Sequence, residues 1–72
     1  MESIEKQLGK RIRRFRETQK LSQEELAHRA SVHRTYLGGI ERGERNPSLK
    51  NLASIARALN VRLADLVDIT VK

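Results

Sequence analysis

An all-α fold, five short helices around one small core, is what this sequence predicts, on three observations. Apolar residues recur at intervals of three and four along much of the chain, the period of one helix face. Start signals (Ser22 with Glu25; Ser48 just after Pro47) and stop signals (Gly43, Asn60) punctuate the chain at helix-sized intervals. No run is long enough to found a sheet, and there is no internal repeat or low-complexity segment. Residues 1–72 are read as a single domain, and a core of this size contributes only roughly 3–5 kcal/mol.

The first helix is expected at about 3–19, where Ile4, Leu8, Ile12 and Phe15 share a face. Its other face carries Lys6, Lys10, Arg11, Arg13 and Arg14, which reads most simply as a solvated charge run. Ser22 and Glu25 have capping-box spacing, so a second helix starts near Gln23 and runs to about 30, with Leu26, Ala27 and Ala30 inward. A third, about 33–42, places Leu37 and Ile40 inward and stops at Gly43, which suits the left-handed conformation that closes helices. Pro47 disfavours helix at Asn46, and Ser48 caps a fourth helix at about 48–59. Leu49, Leu52, Ala53, Ile55, Ala56 and Leu59 give it a broad apolar stripe, and Asn60 tolerates the left-handed cap. A short fifth helix, about 63–67, follows. The alternation Val67, Ile69, Val71 suits either a frayed tail or a short strand on a partner.

Composition excludes several function classes. Without cysteine there is no disulfide framework, thiolate metal site or thiol nucleophile, as suits a cytoplasmic protein. His28 and His33 are five apart and do not share a helix face, so no metal or other cofactor is expected. No window approaches the roughly 18 apolar residues of a membrane span. There is no Ser–His–acid order and no Gly-rich phosphate loop, so an enzyme is not expected. Fifteen Lys and Arg against nine Asp and Glu give a net charge of +6, which favours a polyanionic partner. With Phe15 and Tyr36 as its sole aromatics the chain lacks a base-stacking platform, which makes duplex the better polyanion.

The second and third helices are each too short to be stable alone in water, and must be held by packing. Two short helices joined by a connection of three to four residues, with small Ala27 allowing close approach and Val32 plugging the turn, make the pattern of a helix-turn-helix. Within it, "SQEELA", "IERGERNPS" and the spaced residues of "LASIARALNV" occur in an order that resembles the XRE family of lambda-repressor-like and Cro-like DNA-binding domains, over about residues 8–68. "HRTYLGGIERGERN" is also similar to the controller proteins of restriction–modification systems.

The resemblance implies a lambda-repressor-like five-helix fold, with the third helix in the major groove of double-stranded DNA. It also implies a homodimer on a partly palindromic operator, with half-sites about 34–36 Å apart. On that reading Arg34 bonds guanine O6 and N7, or grips a phosphate. Thr35 touches a thymine methyl or a phosphate; His33 begins the helix or makes a DNA contact; Tyr36 wedges against DNA or packs in the core. Gly38 and Gly39 each cost about 1 kcal/mol in a helix interior. Their expected return is close approach of the helix backbone to the groove; the alternative is an exposed, tolerated pair. Gln23, Arg42, Arg45, Asn46, Lys50 and Asn51 are the phosphate candidates, with Arg45 able instead to reach a base.

By the same resemblance Arg16 and Glu41 form a buried ion pair; an exposed pair of little energetic weight is the alternative. Ser31 stands where the family prefers Gly, and Arg62 where it usually has Ser or Thr before the fifth helix. Leu63, Leu66, Val67 and Ile69 exceed what one small core needs and are the candidates for the dimer interface, unless the late helix simply closes the core. The competing functional reading is an antitoxin-like module that binds DNA while masking a protein. Whether RNA polymerase or a toxin is a partner is left open, and an RNA-binding role is disfavoured by the deep, narrow major groove of RNA.

Overall fold

The computed structural model describes residues 2–69, in which five helices are formed: α1 (Ile4–Thr18), α2 (Gln23–Ala30), α3 (Arg34–Glu41), α4 (Leu49–Ala58) and α5 (Leu63–Leu66). Among the described residues there is no strand. Val71 lies outside them.

Each helix is opened by a side chain that satisfies an otherwise unpaired N–H group. The Ser3 hydroxyl accepts from the Lys6 N–H (3.1 Å) and the Ser48 hydroxyl from that of Asn51 (3.1 Å). At α2 the capping box is complete: Ser22 Oγ accepts from the Glu25 N–H (3.0 Å), and the Glu25 carboxylate accepts from the Ser22 N–H (2.9 Å). His33 caps α3 through Nδ1, which accepts from the Thr35 N–H (3.2 Å). Arg62 has no oxygen to offer α5; there the Asp65 carboxylate reaches back to accept from the Arg62 N–H (3.0 Å).

The ends of α1 to α4 close in one way. Lys20, Ser31, Gly43 and Asn60 are left-handed, with φ of 58°, 57°, 77° and 57°. In each case the residue after the left-handed one returns its N–H to a carbonyl five residues back: Leu21 to Arg16, Val32 to Ala27, Glu44 to Gly39 and Val61 to Ala56. Glycine relieves the crowding of Cβ in this conformation at Gly43 alone.

The helices enclose a core of Leu8, Ile12, Leu26, Leu37, Ile40, Ile55, Leu59 and Leu66, with α1 against α3 and α5, α2 against α3 and α4, and α4 against α5. Gly9 lets α1 cross the end of α3 at backbone contact: a Cβ there would run into the carbonyl oxygens of Ile40 and Glu41. Arg11 leaves the solvated face expected of it and donates through Nε and Nη2 to the Asp65 carbonyl (2.9 and 2.6 Å), pinning α5 to α1. The buried stripe of α4 is narrower than its composition suggested. Leu49, at the helix start, is 71% exposed, and Ala53 is exposed because it is turned about 100° from Leu52. Ile4 likewise stays largely outside the core, 44% exposed in the first turn of α1.

Candidate nucleic-acid interface

Before α3 can present anything it must be held, and the holding group is a buried ion pair. Arg16 donates from Nε to Glu41 Oε2 (2.7 Å) and from Nη2 to Glu41 Oε1 (2.9 Å), while Nη1 donates to the Leu21 carbonyl (2.9 Å). The two side chains are 11% and 2% exposed. Hydrogen bonding to Glu41 raises the Arg16 pKa above its ordinary value against the opposing effect of burial. Among the described residues no buried side-chain polar atom lacks a partner. The pair is thus a satisfied cluster joining α1, α3 and the α1–α2 turn.

Gln23 belongs to this cluster. Its side-chain amide donates to Glu41 Oε1 (3.0 Å), so it stands at the start of α2 turned toward the ion pair rather than presented outward. The amide carries two N–H donors, so the bond to Glu41 leaves one of them uncommitted.

With Leu37, Ile40 and Glu41 buried, the opposite side of α3 faces solvent. His33, Arg34 and Thr35 are exposed at its start. Because His33 Nδ1 accepts the capping bond, its ring proton sits on Nε2 and is available to an acceptor. Arg34 Nη1 pairs with Glu24 Oε2 of α2 at 3.3 Å, both side chains being well exposed. Sequence reading missed Glu24: the pairing spans ten residues and the turn between two helices, and no local spacing signals it. An open concavity between the two helix starts is lined by Arg16, Ser22, Gln23, Glu24, Glu25, His28 and Arg34.

Of the two roles the sequence allowed Tyr36, the structure shows the packing one: its ring lies against the core, and its hydroxyl accepts from Asn51 Nδ2 (3.2 Å), which joins α3 to α4. Asn51 is therefore oriented by Tyr36. Arg42 pairs with Glu44 (3.1 Å), and Arg45, Asn46 and Lys50 are exposed along the loop and the start of α4. Gly38 and Gly39 correct the expectation of a bare outer surface: both are buried, Gly38 beside the Arg42 guanidinium and Gly39 beneath the Arg45 stem.

The late apolar residues divide. Leu66 is fully enclosed in the chain's own core and offers nothing to a second subunit, because the four-residue α5 turns it directly onto α4 and α1. Leu63 is half-buried against that core, Ile69 is half-buried, and Val67 is 43% exposed. Among the described residues no helix is long and apolar enough to cross a membrane.

Comparison with known proteins agrees with this geometry. A helix-turn-helix family model matches residues 12–66. The control protein C.BamHI of Bacillus amyloliquefaciens is 46% identical over 63 residues, covering 86% of this chain and 78% of that protein. The control protein C.SmaI of Serratia marcescens is 42% identical over 64 residues, covering 89% and 76%. The crystal structure of the restriction–modification controller protein C.AhdI from Aeromonas hydrophila superposes with a TM-score of 0.85 at 42% identity, covering 86% of this chain and 94% of that one. The relatives are named as regulators, not enzymes. This chain belongs to the XRE-type helix-turn-helix family of DNA-binding transcription regulators and is similar to restriction–modification controller proteins.

Proposed function

We propose that the protein binds a partly palindromic operator in double-stranded DNA as a homodimer, and that it controls a restriction–modification system. The observation that carries this reading is the division of labour on α3. One side is fixed by Leu37, Ile40 and the Arg16–Glu41 pair, while Arg34 and Thr35 on the exposed first turn have no part in the core.

A helix held this way loses little freedom when it enters a major groove, which favours sequence readout over general attraction. In this reading Arg34 and Thr35 contact base edges, with His33 Nε2 and Tyr36 at the border of the same surface. Arg42, Asn46, Lys50 and Asn51 hold the flanking phosphates, and Gln23 does so from the start of α2. The subunits meet through Val67, with Leu63 and Ile69 beside it.

Selection from random duplex DNA, followed by titration of the selected site at several salt concentrations, tests the reading. The expected result is a two-fold symmetric site bound about 10³-fold or more above random duplex at equal salt. Failure to enrich any site, with affinity that only collapses as salt rises, would overturn it.

A further inference from the structure

α5 is a single turn, and a helix of four residues has no stability of its own. Two contacts with the rest of the chain hold it. Leu66 is enclosed in the core, and the Asp65 carbonyl accepts from Arg11, 54 residues earlier, through Nε (2.9 Å) and Nη2 (2.6 Å). Asp65 also fixes the start of the turn, where its carboxylate accepts from the Arg62 N–H (3.0 Å). After it the helix is not continued: the Ile69 N–H turns to the Val67 carbonyl (2.9 Å). Arg11 is itself supported, since its guanidinium lies over the ring of Phe15, one turn along α1, 5.8 Å from the centroid. One apolar anchor at Leu66 would leave so short a turn free to pivot. The Arg11 fork on the adjacent residue removes that freedom.

The pivot matters because of what the turn displays. Leu63 and Val67 are one helical turn apart and share a side of α5, the first half-buried and the second 43% exposed. Exposed Arg62 and Asp68 stand at the two ends of this segment, Arg62 meeting the Asp65 carboxylate only at 3.4 Å. A two-fold axis across the segment reverses it, so that the positive end of one copy meets the negative end of the other. The occupant this surface fits is therefore a second copy of the chain.

We propose that Arg11 is a positioning residue for subunit association: by holding the Asp65 carbonyl it fixes α5 in the orientation that presents Leu63 and Val67 to a second copy, and so sets the protein concentration at which the operator is filled. The inference rests on the homodimer reading. It adds to that reading a residue of α1 that acts on the subunit contact through α5. A patch already fixed in place loses less freedom on association than one carried by a pivoting turn.

The test is sedimentation equilibrium, with titration of the selected duplex, on the parent, Arg11→Ala, Arg11→Lys and Val67→Asp, each checked for an intact fold by circular dichroism. Arg11→Ala is expected to weaken dimerisation roughly ten- to a hundredfold. Its operator occupancy is expected to fall at low protein concentration and to return at high concentration, with the parent's base preference. Arg11→Lys, which can still donate to the carbonyl but lacks the fork, is expected to fall between the two and supplies the measurement if Arg11→Ala does not fold. Unchanged dimerisation in the folded variants, with only a lower urea midpoint, would overturn the proposal and leave Arg11 a structural tie. A loss of operator affinity that added protein does not restore, with a salt slope smaller by about 1, would overturn it as well, since Arg11 would then be a phosphate contact. Val67→Asp separates the levels. If it dissociates the dimer and the Arg11 variants do not, the inference alone fails; if the parent is monomeric at every concentration, or Val67→Asp leaves the dimer intact, the assigned subunit contact fails with it.

Discussion

Arg16 and Glu41 show most directly how a residue's environment decides its weight. An exposed pair contributes roughly 0–1 kcal/mol, but this one is almost enclosed, bidentate, and shared with Leu21 and Gln23. Removing one member strands the other charge away from water. Glu41→Ala is therefore expected to cost about 3–5 kcal/mol in chemical denaturation, comparable to the entire stability of a domain this small. A cost below about 1 kcal/mol would mean that water reaches Arg16 and the pair is not an anchor for α3. Gly9 carries a comparable constraint from the opposite direction, since it is the missing atom there that lets α1 meet the Ile40 and Glu41 carbonyls. Neither distance could be read from spacing: the partners of Arg16 and Gly9 lie 25 and more residues away.

At the scale of the element, sequence legibility differed between starts and ends. The starts were plain because Ser22 with Glu25, and Ser48 after Pro47, act within three residues of where they stand. The ends were plain only at Gly43 and Asn60. Lys20 and Ser31 take the same left-handed conformation against their preference, because burial of Leu21 and partial burial of Val32 just beyond them requires the chain to turn there. Such a conformation costs a residue with a Cβ roughly 1–2 kcal/mol, partly offset by the extra freedom glycine has when unfolded. Ser31→Gly should accordingly stabilise the protein by about 0.5–1 kcal/mol, seen as a higher urea midpoint with unchanged slope. A lower midpoint would show that the Ser31 side chain supports the turn between α2 and α3.

For the molecule as a whole, charge and caps respond to acid together. Backbone hydrogen bonding from Ser22 holds the Glu25 carboxyl below its ordinary pKa of 4.5, and that from Arg62 holds Asp65 below 3.8; a side-chain bond from Lys10 does the same for Glu2. A carboxyl whose pKa is lower folded than unfolded stabilises the fold above its unfolded pKa. That contribution is lost as pH falls through the folded value. Protonation also adds positive charge to a chain already at +6, which increases self-repulsion. Urea midpoints are expected to hold near neutrality and decline below about pH 4.5, more steeply at low salt than at high salt. A flat profile down to pH 3 would mean that the capping carboxylates are equally well served in the unfolded chain.

The sequence by itself determined the helices, their starts, the helix-turn-helix and its family, and the basic character that suits duplex DNA. Those properties depend on neighbours within a turn or two, on motif order, or on a sum over the chain, all of which a linear string records. What only the tertiary structure decided is which side chains are available. It enclosed Leu66, exposed Leu49, turned Gln23 toward Glu41, joined Arg34 to Glu24 and laid the Arg45 stem over Gly39. The physical reason is that availability depends on what lies within a few ångströms in space. In a chain whose described residues turn back at four left-handed positions, those neighbours come from distant parts of the sequence.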